Sequence, residues 1–463
     1  MTTKNKQSLQ KELGELLAEY PDAATMELLI ADMHGILRGK RIRKTDFTKV
    51  IDDGFSMCAS TVLLTTLGDV VPGLPYGPDD GDPDVPCALV PGSLAPVPWA
   101  KRPTAQALFR LLDKDYRPFF GDPRNVLERA IAPLKKMGLR IVMATELEFY
   151  LLDGKANRPR PRAARVPGIG RPQPGAQVYH PDDLWEIEPF LNDVYAYCRV
   201  QKIPADSAVS EYGPGQFEIN LMHIDDPVLA CDHAVLLKRA IKAAARKHGF
   251  VACFMAKPFA GRSGSGLHIH LSLVDRHGKN YFSRERDSLS KPPFSARLRH
   301  AVGGLKKTMA AGTAIFAPNA NSYRRLCPDQ FAPVEPNWGL NHRAVAIRIP
   351  MSDKKNLRIE HRVAGADANP YLVTAAIAAG IHYGLKNKID PGRMIEESEV
   401  VSLKIRIPDR WDKALDKFAG SKVFRDYLGS RYCEFYIKNR RAECQAFHDT
   451  VSPIDFDWYL RAV

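Results

Sequence analysis

Residues 144–150 read Ala-Thr-Glu-Leu-Glu-Phe-Tyr, and this alternation of polar and apolar residues is typical of a β-strand. One face carries Glu146 and Glu148, and the other carries Leu147 and Phe149. A single Glu-x-Glu pair most often marks only the solvated face of an antiparallel sheet. The stretch therefore predicts a strand with a charged face, and a function for its carboxylates depends on polar residues elsewhere in the chain.

Three further stretches show the same alternation and place acids or histidines on the polar face: Leu267–Ser272, Gln216–Leu221 and Arg358–Arg362. With the first stretch, and with Glu211 five residues before Gln216, they supply six candidate metal ligands, namely Glu146, Glu148, Glu211, Glu218, His268 and Glu360. Five carboxylates and one imidazole suit a hard or borderline cation such as Mg²⁺ or Mn²⁺. About three ligands for each of two ions would leave positions open for phosphate oxygens and water. The pattern predicts a two-cation site suited to phosphoryl transfer.

Helical periodicity separates these strands. It covers Arg124–Met137, Leu184–Gln201 and Ala230–His248, and an Ala-rich apolar helix is expected at Leu372–Leu385. Such an order favours an α+β domain whose helices pack behind a curved antiparallel sheet.

The ordered motifs of the chain resemble the glutamine synthetase superfamily over nearly the whole length. They are Asp32–Lys40, Glu146–Glu148, Glu211–Glu218, Lys257–Pro258, Gly264–His270, Asn321–Arg325, Arg358–Arg362 and Asn369–Leu372. The resemblance implies a small N-terminal β-grasp domain at residues 1–108 and a large catalytic domain at residues 109–463. It also implies a homo-oligomer of stacked hexameric rings, most simply a dodecamer, with each site between the small domain of one subunit and the large domain of the next.

The resemblance also implies a role for each candidate site residue. One cation would be bound by Glu148, Glu211 and Glu218, and a second, which bridges ATP phosphates, by Glu146, His268 and Glu360; two to three Mg²⁺ or Mn²⁺ ions are expected per site. The nucleotide would be lined by His270, Ser272, Arg348 and Arg358. Glutamate would be bound by Gly264, Arg325 and Arg362. Arg343 would lie near the transferred phosphoryl group, and Glu211 is a candidate proton acceptor from the amine.

The implied reaction is an ATP-dependent ligation. The γ-carboxylate of glutamate attacks the γ-phosphate of ATP, and an amine then displaces phosphate from γ-glutamyl phosphate. Cations and arginines would neutralise the charge that develops during transfer. Arginine suits this role because its planar fork binds carboxylate or phosphate through two hydrogen bonds.

The chain departs from ammonia-using family members at two positions. Those enzymes carry an Asp in the small domain where Gly54–Ser60 here supplies Cys58, and a flap Glu where Phe331 stands. A thiol and an aromatic ring leave a larger, less polar mouth, on which the carbon stem of an amine could pack, with Trp338 as a further contact. Asp329, beside the flap position, is a weaker candidate than Glu211 for accepting the amine proton.

Other stretches resemble the γ-glutamylpolyamine (glutamate–putrescine ligase) group, namely Val85–Trp99, Asp206–Leu221, Phe254–Pro258 and Ala364–Pro370. They favour putrescine or another polyamine. Ethanolamine, methylamine, an aromatic amine and ammonium remain open as alternative substrates, because the enzymes that use them share much of this framework.

Bulk properties predict a cytoplasmic enzyme without a membrane partner. Residues 1–10 contain no apolar signal-peptide core, and no run approaches the roughly 18 apolar residues of a spanning helix. The eight cysteines include no Cys-x-x-Cys pair and are too sparse for a disulfide scaffold.

Two alternative functions fall outside the ligase class: a nucleic-acid-binding protein and a structural pseudoenzyme. The net charge of +13 would suit a nucleic-acid-binding protein, but much of the excess lies in a Pro-rich stretch at residues 155–171, and basic charge also suits glutamate and ATP. We therefore expect no nucleic-acid partner. A structural pseudoenzyme would be expected to lose metal ligands, whereas all six are present in this chain.

Overall fold

The computed structural model describes residues 3–154, 158–166, 168–173, 175–284, 294–328, 331–401 and 404–463. Its strands are β1 Thr25–Ala31, β2 Leu37–Arg43, β3 Phe55–Cys58, β4 Asp84–Leu89, β5 Ala95–Pro96, β6 Thr104–Leu111, β7 Arg140–Asp153, β8 Ala205–Ser210, β9 Gln216–Leu221, β10 Phe250–Cys253, β11 Leu267–Val274, β12 Trp338–Leu340, β13 Ile347–Ile349 and β14 Ile359–His361. Its α-helices are α1 Thr3–Glu19, α2 Phe47–Asp53, α3 Pro123–Lys136, α4 Pro181–Trp185, α5 Glu188–Val200, α6 Pro227–Lys247, α7 Ala296–Phe316, α8 Ala320–Tyr323, α9 Pro370–Asn387, α10 Trp411–Ala419, α11 Lys422–Leu428, α12 Ser430–Asp449 and α13 Pro453–Tyr459.

The N-terminal part forms a sheet in the order β2-β1-β6-β4-β3, with β5 paired to β6. All pairs are antiparallel except β1 with β6. The boundary predicted at residue 108 falls inside β6, so a division between the two sheets would follow Leu111. The division into two domains stays a proposal.

The second sheet runs in the order β12-β13-β14-β11-β7-β9-β8, with β10 paired to the far part of β7. It is antiparallel except for β12 with β13, and it curls into a half-barrel. The four stretches predicted from alternation form the adjacent strands β14, β11, β7 and β9. The predicted α+β fold with a curved, mainly antiparallel sheet is confirmed.

The helices that cover this sheet include those predicted from periodicity. The first predicted period is α3, the second is divided between α4 and α5, the third is α6, and the Ala-rich period is α9. Helix α6 packs on β7 and β10, and α9 packs against α3 and α7. Between α7 and α9 the backbones approach closely at Gly304 and Gly384, where a Cβ on Gly304 would lie 2.5 Å from the Cα of Gly384.

Helix α12 joins the C-terminal helices to the N-terminal sheet. Asn439 donates its side-chain amide to the carbonyl of Leu63 at 2.8 Å, and Arg440 contacts the ring of His34. Both α12 side chains are buried. Within the described ranges, no helix is both long and apolar enough to cross a membrane.

Candidate active site

Strand register assembles the predicted ligands on one face of the large sheet. His268 on β11 lies directly opposite Glu146 on β7, and Glu148 lies opposite Glu218 on β9. One step further along β11, His270 is paired with Glu360 on β14. Paired residues of an antiparallel ladder have neighbouring side chains, so the acids and imidazoles must lie together.

Glu146 is the centre of the cluster. Its Oε2 lies 3.1 Å from Nδ1 of His268, and its Oε1 lies 2.7 Å from Nε2 of His270. Burial alone would raise the pKa of Glu146, but the hydrogen bonds from the two imidazoles hold that pKa well below its usual value. Glu146 is thus a carboxylate at neutral pH.

Two groups of ligand atoms lie within 4.8 Å of one another among the described residues. One comprises Glu146, His270 and Glu360, and the other comprises Glu146, Glu218 and His268. The structure therefore brings together four of the six predicted ligands, but it shares Glu146 between the groups and adds His270. The predicted division into two sets of three differs from this grouping, and the assignment of each residue to an ion stays a prediction.

The carboxylates of Glu148, Glu211 and Glu218 lie close enough together to repel one another. Burial and the nearby carboxylate of Glu148 raise the pKa of Glu211 to about 7, and burial with Glu146 raises the pKa of Glu218 well above its usual value. A divalent cation would remove this repulsion. Carboxylate oxygens together with an imidazole nitrogen are ligands that suit Mg²⁺ or Mn²⁺. The residues therefore fit the metal ions that the family implies.

Arginines border the cluster on the β13–β14 side. Glu360, fully buried, accepts from Arg348 at 2.8 Å and also pairs with Arg362. Arg358 donates from Nε to Nδ1 of His270 at 3.1 Å. These contacts keep the guanidinium groups of the predicted nucleotide and glutamate residues beside the acids.

The predicted glutamate-binding glycine sits in a tight loop. A Cβ at Gly264 would lie 2.6 Å from the carbonyl oxygen of Ala256 and 2.8 Å from Cγ of Arg325. The Arg325 side chain is buried and donates to the carbonyl of Val363 at 2.8 Å. Only glycine leaves room for this arrangement.

Gln216 received no role from the sequence, although it lies within the predicted Glu211–Glu218 motif. It donates to the carbonyl of Gly264 at 3.0 Å and accepts from the amide of Gly213 at 3.0 Å. Glu148 in turn accepts from the amide of Gly266 at 2.7 Å. Gln216 at the start of β9 and Glu148 on β7 therefore hold the glycine segment in place.

A cavity of about 570 Å³ opens over the cluster. All six predicted metal ligands line it, together with Gly264, Arg325, Arg343, Arg348 and Arg362. His270 and Arg358 line an adjoining cavity of about 260 Å³ that shares Glu146 and Asn220 with the first. Ser272 lines neither cavity, so its predicted nucleotide contact has no support from this geometry.

Arg343 is exposed and donates to the hydroxyl of Tyr179 at 3.3 Å. Tyr179 was not predicted, and no pattern in the sequence distinguished it. It adds a phenol to the cavity wall.

Two of the residues predicted for the amine pocket, Phe331 and Trp338, differ in their position relative to the cavity. Phe331 lines the cavity and stacks on Tyr212, with ring centroids 4.5 Å apart and planes inclined by 26°. Trp338 is fully buried and packs on Phe294, so it does not reach the cavity; this corrects its predicted contact with the amine. Asp329 lies outside the described residues.

Cys58 is exposed on β3, the edge strand of the small sheet, and does not line the cavity of its own chain. Burial and the neighbouring Asp82 raise the pKa of its thiol. Its predicted place in an amine pocket therefore requires a neighbouring subunit and stays a prediction.

Comparison with known proteins agrees with this geometry. Residues 120–459 match the family described as glutamine synthetase, catalytic domain. A γ-glutamylputrescine synthetase, PuuA, from Escherichia coli (strain K12) is 39% identical over 454 residues, 97% of this chain and 94% of that protein. A glutamate–isopropylamine ligase from a Pseudomonas species is 31% identical over 468 residues, 99% of each. The solved structure of GmaS without ligand has a TM-score of 0.81 at 24% identity, covering 97% of this chain and 99% of that one. The chain therefore belongs to the glutamine synthetase family.

Proposed function

We propose that this enzyme is an ATP-dependent ligase that joins the γ-carboxylate of glutamate to putrescine or another aliphatic polyamine, releasing ADP and phosphate. The observation that carries the proposal is the aromatic pair Phe331–Tyr212 in the wall of a cavity lined by acids and arginines. The identity of 39% with a γ-glutamylputrescine synthetase supports it.

The acidic cluster would hold two to three Mg²⁺ or Mn²⁺ ions, with Glu146, Glu148, Glu211, Glu218, His268 and Glu360 as ligands and His270 at the edge of the set. When bound, such ions neutralise phosphate charge and polarise the transferred group. The protein's part is to keep the ligands preorganised, which the pairing of β7, β9 and β11 achieves.

The arginines would bind and orient the two anionic substrates. Arg325, buried beside Gly264, and Arg362, paired with Glu360, would bind the glutamate carboxylate. Arg348 and Arg358 would contact the nucleotide, and the exposed Arg343, which donates to the hydroxyl of Tyr179, would contact the transferred phosphoryl group. The acyl phosphate that forms is then attacked by the neutral amine.

The aromatic wall explains why an amine with a carbon stem would be preferred. Phe331 and Tyr212 are both exposed, at 65% and 50%, so their faces are available to methylene groups. Glu211, adjacent to Tyr212 in the cavity wall, would accept a proton from the ammonium group before the neutral amine attacks. Ammonium has no stem and gains nothing from this surface.

The test is phosphate release from ATP, Mg²⁺ and glutamate with ammonium, putrescine, spermidine, ethanolamine, methylamine and isopropylamine, with each product confirmed by mass. Release with putrescine or spermidine that exceeds release with ammonium by at least about tenfold in kcat/KM is expected. Comparable release with ammonium would identify a glutamine synthetase and overturn the amine assignment.

A Tyr212→Ala variant tests the aromatic wall within the same assay. We expect the KM for putrescine to rise about tenfold while the KM for glutamate stays unchanged, because Tyr212 would contact only the amine stem. Tyr212→Phe is the matched control and should behave like the parent enzyme. Equal KM values for putrescine in all three proteins would show that the wall does not bind the amine.

We further propose a ring oligomer in the cytoplasm. Strand β3 is an edge strand that exposes Cys58, as expected if the small sheet completes the site of a neighbouring subunit. All eight cysteines are free, which suits a reducing compartment. Light scattering coupled to size exclusion would test the assembly, and a monomer with full activity would refute the shared site.

A further inference from the structure

A second and larger cavity, of about 860 Å³, lies between the small sheet and helix α6. It shares no lining residue with the candidate active site. Part of its wall is the Asp32–Lys40 motif, to which the ligase reaction assigns no role. The segment that contains Phe254 and Met255 forms another part of the wall.

The lining of this cavity is strongly basic. Seven Lys or Arg side chains line it, against two acids, Glu27 and Asp367. Both acids already have partners: Glu27 pairs with Arg41 and Arg239, while Asp367 accepts hydrogen bonds from Asn319 at 2.8 Å and Ser322 at 2.7 Å. The acids therefore leave most of the positive charge uncompensated.

Four of the cations have no carboxylate within 4.0 Å in the part of the chain that the structure describes: Lys40, Lys238, Lys242 and Arg246. Arg38, by contrast, is neutralised by the buried Asp32 at 2.8 Å. These cations without an ion pair come from two elements, β2 and α6, which both line the cavity.

The spacing on α6 works against the stability of the helix. Lys238, Lys242 and Arg246 follow one another at four-residue intervals, and like charges at this spacing repel. Lys238 and Lys242 both lie over the ring of Phe254, with their Nζ atoms 5.5 and 5.7 Å from its centroid. Burial lowers the pKa of Lys238 to about 8 and also lowers that of Lys242. The two ammonium groups therefore lie together at the wall of the same open cavity.

We propose that this cavity binds a small polyanion, a molecule with at least two negative charges on phosphate or carboxylate groups. Its volume lies in the usual range for a metabolite site. Apolar side chains such as Leu29 and Val235 line it between the cations and would contact a short carbon skeleton. Charge-assisted hydrogen bonds from lysine and arginine would supply the affinity.

The test is calorimetric titration of the full chain with pyrophosphate and, separately, citrate, in EDTA and without ATP. These probes separate phosphate from carboxylate recognition, and the absence of Mg²⁺ weakens binding at the metal cluster. Trp99 also lines the cavity, and Cζ of Arg239 lies 5.4 Å from the centroid of the Trp99 ring. The fluorescence of Trp99 therefore gives a local readout of binding, and the Trp99→Phe substitution should abolish that signal.

The decisive variant is Lys242→Gln with Arg246→Gln, two exposed positions on α6 outside the catalytic cavity. Lys135→Gln with Lys136→Gln, on the exposed end of α3, is the matched control because it removes the same charge elsewhere. We expect the α6 variant to bind at least one probe at least about tenfold more weakly than the parent, and the α3 variant to bind it within about twofold of the parent. Equal affinity in all three proteins would place the anion in the catalytic cavity, and absence of binding of both probes to the parent would equally overturn the proposal.

Discussion

Phe331 adopts a left-handed backbone conformation, with φ of 58°, and this orientation turns its ring onto Tyr212 at the cavity mouth. A non-glycine residue in this region is uncommon and is held by its surroundings. The single side chain at this position would thus decide whether the mouth is apolar or acidic.

Replacing Phe331 by Glu, together with Cys58→Asp, should raise the use of ammonium relative to putrescine by at least about tenfold in kcat/KM. Two carboxylates would favour a small cation, and the stacking surface for a carbon stem would be lost. The measurement is product formation in mixtures of the two amines. Phe331→Leu is the control and should keep the preference for putrescine; an unchanged ratio in the double variant would show that these positions do not set amine choice.

Gly264→Ala should raise the KM for glutamate by at least about tenfold. The added Cβ would collide with the Ala256 carbonyl and with Arg325, and the carbonyl is backbone that cannot move aside. Gly261→Ala, three residues earlier, meets nothing within 4 Å and should leave KM unchanged. Steady-state kinetics with varied glutamate gives the KM of each variant. Similar KM values for the two variants would contradict the predicted role of this loop.

At the scale of whole elements, helices α7 and α9 depend on glycine for their contact. Gly304→Ala should lower the free energy of unfolding by about 3 kcal/mol, because its Cβ would collide with the backbone of Gly380 and Gly384. Gly14→Ala, on an exposed turn of α1 with nothing within 4 Å, should instead raise it by about 0.5–1 kcal/mol. Thermal unfolding of both variants tests the pair, and a stability for Gly304→Ala equal to that of the parent would show that the helices can separate without cost.

The elements that carry the site could be predicted because their signal is local. Alternation in the sequence located β7, β9, β11 and β14 within a few residues. The order of these strands could not be predicted from alternation, because pairing partners lie far apart in the chain: His268 and Glu146 are 122 residues apart and meet only through the β11–β7 register. The contact of Glu146 with both histidines follows from that register alone.

Helix α1 and the burial of Trp338 were not predicted from the sequence. Helix α1 buries Leu9, Leu13 and Leu16, a helical spacing that was readable in the sequence. The burial of Trp338 had no local signal, since tryptophan occurs both in cores and at binding surfaces, and only the tertiary packing against Phe294 decides between them.

At the scale of the whole molecule, His34 links the small sheet to the C-terminal helices. Its ring contacts Arg440 and lies 3.9 Å from Glu443 on α12, and it bonds the carbonyl of Leu64 at 2.8 Å. Burial, then the positive charge of Arg440, lowers its pKa to about 2. The folded protein therefore holds this imidazole neutral.

This linkage predicts a loss of stability in acid. In the unfolded chain His34 takes up a proton below a pKa of about 6.5, whereas the folded chain does not, so its contribution falls as pH drops below 6.5. The change attributable to this residue is about 2 kcal/mol between pH 6.5 and 5. Urea unfolding across this range should give a flatter pH dependence for His34→Gln than for the parent. His277→Gln, on an exposed turn, should keep the parent slope, and identical slopes in all three would refute a neutral His34.

One stretch of chain, Phe254–Ala256, connects the basic cavity with the glycine loop of the candidate active site. Phe254 and Met255 line the basic cavity. The carbonyl of the next residue, Ala256, accepts a hydrogen bond from the amide of Ser265 at 2.9 Å and lies close to Gly264. An anion in the basic cavity and glutamate in the candidate active site would therefore lie on either side of the same segment. Thermodynamic linkage makes their effects reciprocal: by whatever factor an anion in the basic cavity changes the affinity for glutamate, glutamate must change the affinity for that anion by the same factor.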